Sequence, residues 1–232
     1  MRRVLLLFPL TAYRAVVFDL DGTLLDTMPD IIKVGNELLS EHGIPGKTWD
    51  DYAAAVGMGL ETLYAKLLGG QVGENLLARL VNRASEAFNR MDDFLAAPYP
   101  GIKELLEMLS SRGIPMAILS NKPQRAAEIC TKHFFPDVPF LQIVGSQPGK
   151  PVKPEKSSAE AIMKAMGVSP GETLMAGDGE PDMLVAENAG MIPVACAWGF
   201  TPGIRLMELG ARFLARKPMD IWTLVNSGAL QP

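Results

Sequence analysis

Five short apolar runs, each breaking off at a polar or glycine-containing turn, constrain the fold more than any other feature of this chain. They occupy residues 15–18, 115–119, 141–144, 173–176 and 192–197, and are followed by Asp19, Ser120, Gly145, Gly177 and Trp198-Gly199. Near-continuous apolar runs of this length suit strands covered on both faces, the situation inside a parallel sheet. Helical spacing fills the intervals between most of them: Ile102, Leu105, Leu106 and Leu109, then Ala126, Ala127, Ile129 and Cys130, then Ala161, Ile162, Ala165 and Met166, then Leu184, Val185 and Asn188. Strand and helix in alternation predict an α/β fold with a doubly wound parallel sheet.

One stretch breaks the alternation. Between Pro29 and Ala97 no strand pattern is visible. Ile31, Ile32, Leu38 and Leu39 suit one helix, and Leu60, Leu63, Leu67 and Leu68 another. Leu76, Leu77, Leu80, Val81, Ala84, Phe88 and Met91 form a longer amphipathic stripe. The expected organisation is an α/β core from residues 1–27 and 98–232, with a helical module of residues 28–97 inserted after the first strand. Hydrophobic residues make up 48% of the chain and charged residues 21%, so a packed core is expected, not disorder. The formal net charge of −4 offers no basic field for nucleic acid. No apolar run approaches the roughly 20 residues that a membrane-spanning helix needs. Residues 1–12 imitate the front of a signal peptide, but Pro9 interrupts the apolar part and Tyr13-Arg14 follows it, so a short extension is expected. Cys130 and Cys196 stand apart, which suits neither a disulfide framework nor a paired-cysteine zinc site, and points to a reducing cytoplasm.

The ends of the runs carry the chemistry. Phe18-Asp19-Leu20-Asp21-Gly22-Thr23 places two carboxylates two residues apart, on one side of an extended chain. At the carboxyl end of a parallel strand, where α/β sheets bind ligands, such a pair repels by about 4 kcal/mol at ~4 Å and an effective dielectric near 20. A hard divalent cation offsets that repulsion. An Asp-Gly turn or cap cluster fits the same spacing. Ser120 can donate to a phosphoryl oxygen, or cap a helix. Lys150 and Lys153 both precede proline in Gly149-Lys150-Pro151-Val152-Lys153-Pro154, so both sit in extended backbone from which an ammonium can neutralise an anion. Asp178 follows a fourth run between Gly177 and Gly179, and Asp182 comes at the start of the next helix, where it also suits the helix dipole. Acids, a hydroxyl and a cation gathered on one sheet edge suit phosphoryl transfer, in which positioning and charge neutralisation supply most of the catalysis.

Asp19-Leu20-Asp21-Gly22-Thr23-Leu24-Leu25-Asp26-Thr27, Ser120-Asn121-Lys122, Lys153-Pro154-Glu155 and Gly177-Asp178-Gly179-Glu180-Pro181-Asp182 resemble the four ordered motifs of the haloacid dehalogenase-like (HAD) phosphohydrolases. The resemblance spans about residues 13–225. Pro100-Gly101-Ile102-Lys103-Glu104-Leu105-Leu106, Trp198-Gly199-Phe200 and Gly210-Ala211 are similar to the phosphoglycolate phosphatase branch. It implies a Rossmann-like core with a mobile helical cap, and a Mg2+-dependent phosphatase acting on a small phosphorylated metabolite, with 2-phosphoglycolate the leading candidate. Asp19 would be the nucleophile that forms an aspartyl-phosphate, and Asp21 the general acid and base. Magnesium would be held by Asp19, the Asp21 backbone carbonyl and Asp178. Ser120, Asn121 and Lys153 would bind the phosphoryl group, with Asp182 and Thr23 in support. Lys153 fits the third motif better than Lys150. Ser120, where threonine is common, and Glu180-Pro181 depart from the usual pattern without removing a charge. Pyrophosphatases and sugar-phosphate mutases of the same superfamily are the enzymatic alternatives. A receiver-like or degenerate binding module is the non-enzymatic one. A monomer or homodimer, with no nucleic-acid or membrane partner, completes the expectation.

Other signals are set aside. Gly46-Lys47-Thr48 ends like a phosphate-binding loop, but position 41 is Glu41 and not glycine. Gly57-Met58-Gly59 is read as a cap turn, and Trp198 as a loop anchor.

Overall fold

The computed structural model describes residues 13–70 and 73–227; the expectation for residues 1–12 lies outside them. Six strands form one parallel sheet: β1 (Ala15–Phe18), β4 (Met116–Pro123), β5 (Gln142–Ser146), β6 (Thr173–Gly177), β7 (Ile192–Cys196) and β8 (Phe213–Ala215). Their order is β5-β4-β1-β6-β7-β8. From β1 the chain first builds outward through β4 and β5, then returns to lay β6 on the other side of β1. The order therefore reverses beside β1, and a crevice opens at the carboxyl ends of the strands on either side of such a point.

Strand β1 shows why this sheet forms. All four residues are fully buried, and they serve the two faces in turn. Val16 and Phe18 pack with Leu105, Leu106 and Leu109 of α5 (Ile102–Ser111), with Cys130 of α6 (Gln124–Phe134), and with Ile221 and Val225 of α10 (Met219–Ser227). Val17 packs on the opposite face, with Ile162 and Met163 of α7 (Ser157–Met166) and Val185, Ala186 and Ala189 of α8 (Glu180–Ala189). A helix α9 (Gly203–Glu208) covers the β7–β8 edge through Leu206.

The insertion is helical, with α1 (Met28–Glu41), α2 (Trp49–Ala53), α3 (Leu60–Leu67) and α4 (Glu74–Phe88) sharing a core of Ile31, Val34, Leu38, Tyr52, Leu63, Tyr64, Leu80 and Phe88. Gly35, in the middle of α1, has a packing reason: a Cβ there would stand 2.1 Å from the Tyr52 hydroxyl. Two very short strands, β2 (Leu25–Asp26) and β3 (Ala97–Pro98), pair antiparallel where the chain leaves the core and where it returns. The sequence pattern showed no strand at Ala97; a two-residue ribbon has no room for alternation. Just beyond the ribbon, the buried Asp30 carboxylate accepts hydrogen bonds from Leu95 N (2.7 Å) and Ala96 N (3.1 Å). The outgoing helix is thereby tied to the incoming strand.

Candidate active site

Asp19 is the first residue beyond β1, and its backbone N–H donates to the Ala176 carbonyl at 2.9 Å. That bond keeps the chain in line with β6 for one residue more and holds the Asp19 side chain at the sheet edge. Four residues from distant stretches meet there. The Lys153 Nζ lies 2.6 Å from Asp19 Oδ1 and 2.6 Å from Asp182 Oδ1. Asp178 accepts from Thr23 Oγ1 (2.9 Å) through one oxygen and from Phe200 N (2.8 Å) through the other. Oxygens of Asp19, Asp178 and Asp182 all fall within 4.8 Å of one another. Asp182 also accepts from Gly179 N at 2.9 Å, so one carboxylate meets both the start of α8 and the Lys153 ammonium.

The backbone around this cluster has no spare room. A Cβ on Gly22, which has φ +87°, would stand 2.2 Å from Asp178 Oδ2. One on Gly199 would stand 2.3 Å from Asp178 Cβ and 2.4 Å from the Gly22 carbonyl. Trp198, the expected loop anchor, donates from Nε1 to the Thr23 carbonyl at 2.9 Å and fixes the loop that carries Gly199 and Phe200.

Strand β4 supplies the other side. Its register against β5 shifts between Leu119 and Pro123, so Ser120, Asn121 and Lys122 leave the regular ladder. Such an irregularity re-aims side chains at strand ends. Ser120 lines the pocket, and its Oγ accepts from Lys122 N at 3.2 Å. It does not cap a helix, because α6 begins only at Gln124, after Pro123. The Asn121 side chain is committed elsewhere: Nδ2 donates to the Gly57 carbonyl (2.9 Å) and the Lys153 carbonyl (3.0 Å), and Oδ1 accepts from Lys153 N (2.9 Å). Its amide therefore positions the Lys153 loop, and any direct contact of Asn121 with a phosphoryl group falls to its main chain. Lys150 is exposed, whereas Lys153 is 3% exposed and inside the cluster, which separates the two lysines.

Lys122 is the residue that sequence reasoning quoted without giving it a role. Its ammonium lies 3.0 Å from Asp21 Oδ1 and 5.0 Å from the centre of the Phe88 ring. The available signal was a lysine only three residues past the apolar run 115–119, a position that surface solvation does not explain.

The pocket over these groups spans about 730 Å³ including its open mouth. Its far wall comes from the helical insertion: Ile31, Val56, Gly57, Leu60, Leu63 and Phe88. Four carboxylates (Asp19, Asp21, Asp178, Asp182) face two ammonium groups (Lys122, Lys153) in this lining, an excess of two negative charges. The strain is visible in the acidities. Burial, outweighing the attraction of Lys153, pushes Asp19 from 3.8 up to about 7. Burial, with the charges of Asp19 and Asp182 added, raises Asp178 well above the ordinary carboxylate range. Burial pulls Lys153 down, but the carboxylates of Asp182 and Asp19 outweigh it and hold the ammonium firmly charged. Hard oxygen donors with two charges uncompensated fit a divalent cation, and Asp19, Asp178 and Asp182 are the side chains close enough together to share one. Two of the trio, Asp19 and Asp178, are in the expected ligand set, and Asp182, expected in support, stands beside them.

The chain is similar in sequence and in fold to known proteins. The sequence model described as haloacid dehalogenase-like hydrolase matches residues 16–196. A phosphoglycolate phosphatase of Vibrio parahaemolyticus is 30% identical over 226 residues, covering 93% of this chain and 97% of that protein. A phosphoglycolate phosphatase of Pseudomonas putida is 30% identical over 206 residues, covering 85% and 74%. The crystal structure of a hydrolase from Pseudomonas syringae superposes with a TM-score of 0.77 at 26% identity, covering 93% and 98%. That of a Lactobacillus delbrueckii subsp. bulgaricus protein reaches 0.85 at 24% identity, covering 92% and 98%, a likeness of fold.

Proposed function

The chain belongs to the haloacid dehalogenase-like hydrolase family, and from that membership and the site geometry we propose that it hydrolyses a small phosphate monoester, with 2-phosphoglycolate the leading substrate. The observation that carries the reading is the convergence of Asp19, Lys153, Asp178 and Asp182 in one buried cluster that opens into a single pocket. The substrate is further suggested by the similarity to phosphoglycolate phosphatases.

In this reading a carboxylate oxygen of Asp19 attacks phosphorus, the ester P–O bond breaks, and an aspartyl-phosphate forms. Asp21 protonates the departing alkoxide. It then takes a proton from the water that attacks the aspartyl-phosphate, and inorganic phosphate leaves with Asp19 restored. Lys153 and Ser120 hold the transferring group, Lys153 being kept in place by Asp182 and by Asn121. Thr23 and Phe200 N fix both oxygens of Asp178. Asp19, Asp178 and Asp182 would hold Mg2+, together with the Asp21 carbonyl; bound there, the ion would neutralise charge developing on the phosphoryl oxygens. The helices of residues 28–97 act as a cap on the core of residues 1–27 and 98–232, excluding bulk water during the first step.

The test is p-nitrophenyl phosphate turnover with and without Mg2+, for the unaltered protein and for Asp19→Asn. Metal-dependent phosphate release that disappears in the variant is the expected result. Equal rates for the two proteins would refute the assigned nucleophile.

A further inference from the structure

The Asp21 carboxylate, proposed to meet the leaving oxygen of the ester, has a buried neighbour that the hydrolytic chemistry leaves unused. Lys122 is 6% exposed in its side chain, and its Nζ stands 3.0 Å from Asp21 Oδ1. An ammonium carries three donors, and the one hydrogen bond that Lys122 Nζ makes among the described residues is to Asp21. On the other side the ammonium faces the Phe88 ring, 5.0 Å from its centre. Lys153, the other cation of the pocket lining, is already held by two carboxylates at 2.6 Å each. The helical wall opposite offers Ile31, Val56, Leu60, Leu63 and Phe88, none of which can pair with an anion.

Of the two lysines in the lining, Lys122 is therefore the one with donors left for an anionic group carried by the leaving alcohol. If Asp21 touches the ester oxygen, the Lys122 ammonium lies one hydrogen bond further out, where a carboxylate on the adjacent carbon would arrive. An apolar wall beside one cation with donors to spare penalises a charged group placed against the wall, because it would lose water without gaining a partner. Resting on the phosphatase reading above, we propose that Lys122 is the specificity-determining residue of this site, pairing with a carboxylate on the carbon that bears the ester oxygen. The preferred substrates are then small 2-phosphooxycarboxylates, and neutral esters of the same size are selected against.

The experiment compares 2-phosphoglycolate with ethyl phosphate, which has the same chain length and lacks the carboxylate. For the unaltered protein kcat/KM should favour phosphoglycolate by about 100-fold or more. In Lys122→Gln that preference should fall below about tenfold, with most of the loss on phosphoglycolate appearing in KM, since recognition of a spectator group acts on binding before chemistry. Near-equal use of the two esters by the unaltered protein would overturn the proposal without any variant, which keeps the test sound should Lys122→Gln not fold. A loss in kcat of the same size for both esters would also overturn it, and would make Lys122 a positioning residue for Asp21. If the unaltered protein released phosphate from neither ester nor p-nitrophenyl phosphate, the phosphatase reading itself would fall; turnover with no carboxylate preference would sink only the role of Lys122.

Discussion

Replacing Asp19 by Asn should remove activity and at the same time stabilise the metal-free protein at neutral pH. The carboxylate is 7% exposed, sits beside Asp182 and Asp21, and has its pKa pushed from 3.8 to about 7, burial being the largest cause. A group whose pKa is higher folded than unfolded binds its proton more tightly in the folded state. It favours folding fully below pH 3.8, and that contribution is lost as pH rises toward 7. The slope is about 1.4 kcal/mol per pH unit, so the span amounts to at most about 4 kcal/mol, shared in part with the similarly raised Asp178 in the same cluster. The carboxamide of the variant does not titrate. The stability difference, variant minus unaltered protein, should therefore grow steadily between pH 4 and pH 7 and level off above. The assay is urea denaturation in chelator at four pH values across that range, read by far-UV circular dichroism. Added Mg2+ should stabilise the unaltered protein more than the variant, since a cation relieves the same repulsion. A difference that stays flat with pH, or a variant less stable at pH 8, would refute the claim that the Asp19 charge is held against its own cost of burial.

Three further outcomes are expected. Lys153→Met should abolish turnover and destabilise the fold by about 3–5 kcal/mol, because it strands Asp19 and Asp182 without their shared partner. Lys150→Met should leave kcat/KM within about twofold, its ammonium being exposed; similar losses in the two variants would undo the choice between them. Asp30→Ala should cost about 2–3 kcal/mol in chemical denaturation, since two backbone N–H groups lose a charged acceptor; a change under about 0.5 kcal/mol would show that the tie carries little.

The runs of the central strands were legible because strands covered on both faces have little choice of residue type; β1 is four apolar residues and nothing else, whereas β5, at the sheet edge, is only half-buried along its length. Strand β8 escaped notice for the opposite reason: it is three residues long at the sheet edge, and Phe213 and Leu214 are only half-buried. The four carboxylates and Lys153 could be read from their places beside apolar runs, prolines and glycines. Their roles in holding one another could not. The Lys122–Asp21 pair joins residues 101 apart, and the Asn121 bonds to Gly57 and Lys153 span 64 and 32. Spacing along the chain carries no signal for such contacts. The Asp30 tie was hidden in the same way, since a carboxylate in the first turn of a helix already has a local explanation.

The Asn121 carboxamide divides its allegiance unequally. Two of its bonds clasp the Lys153 backbone on the core, and one reaches across to Gly57 in the helical layer. Swinging the helices outward would sever only the last. In the proposed reaction, the lysine assigned to hold phosphate would then stay cocked with the helices swung out, so product could escape and the next ester enter without the grip being rebuilt at every turnover.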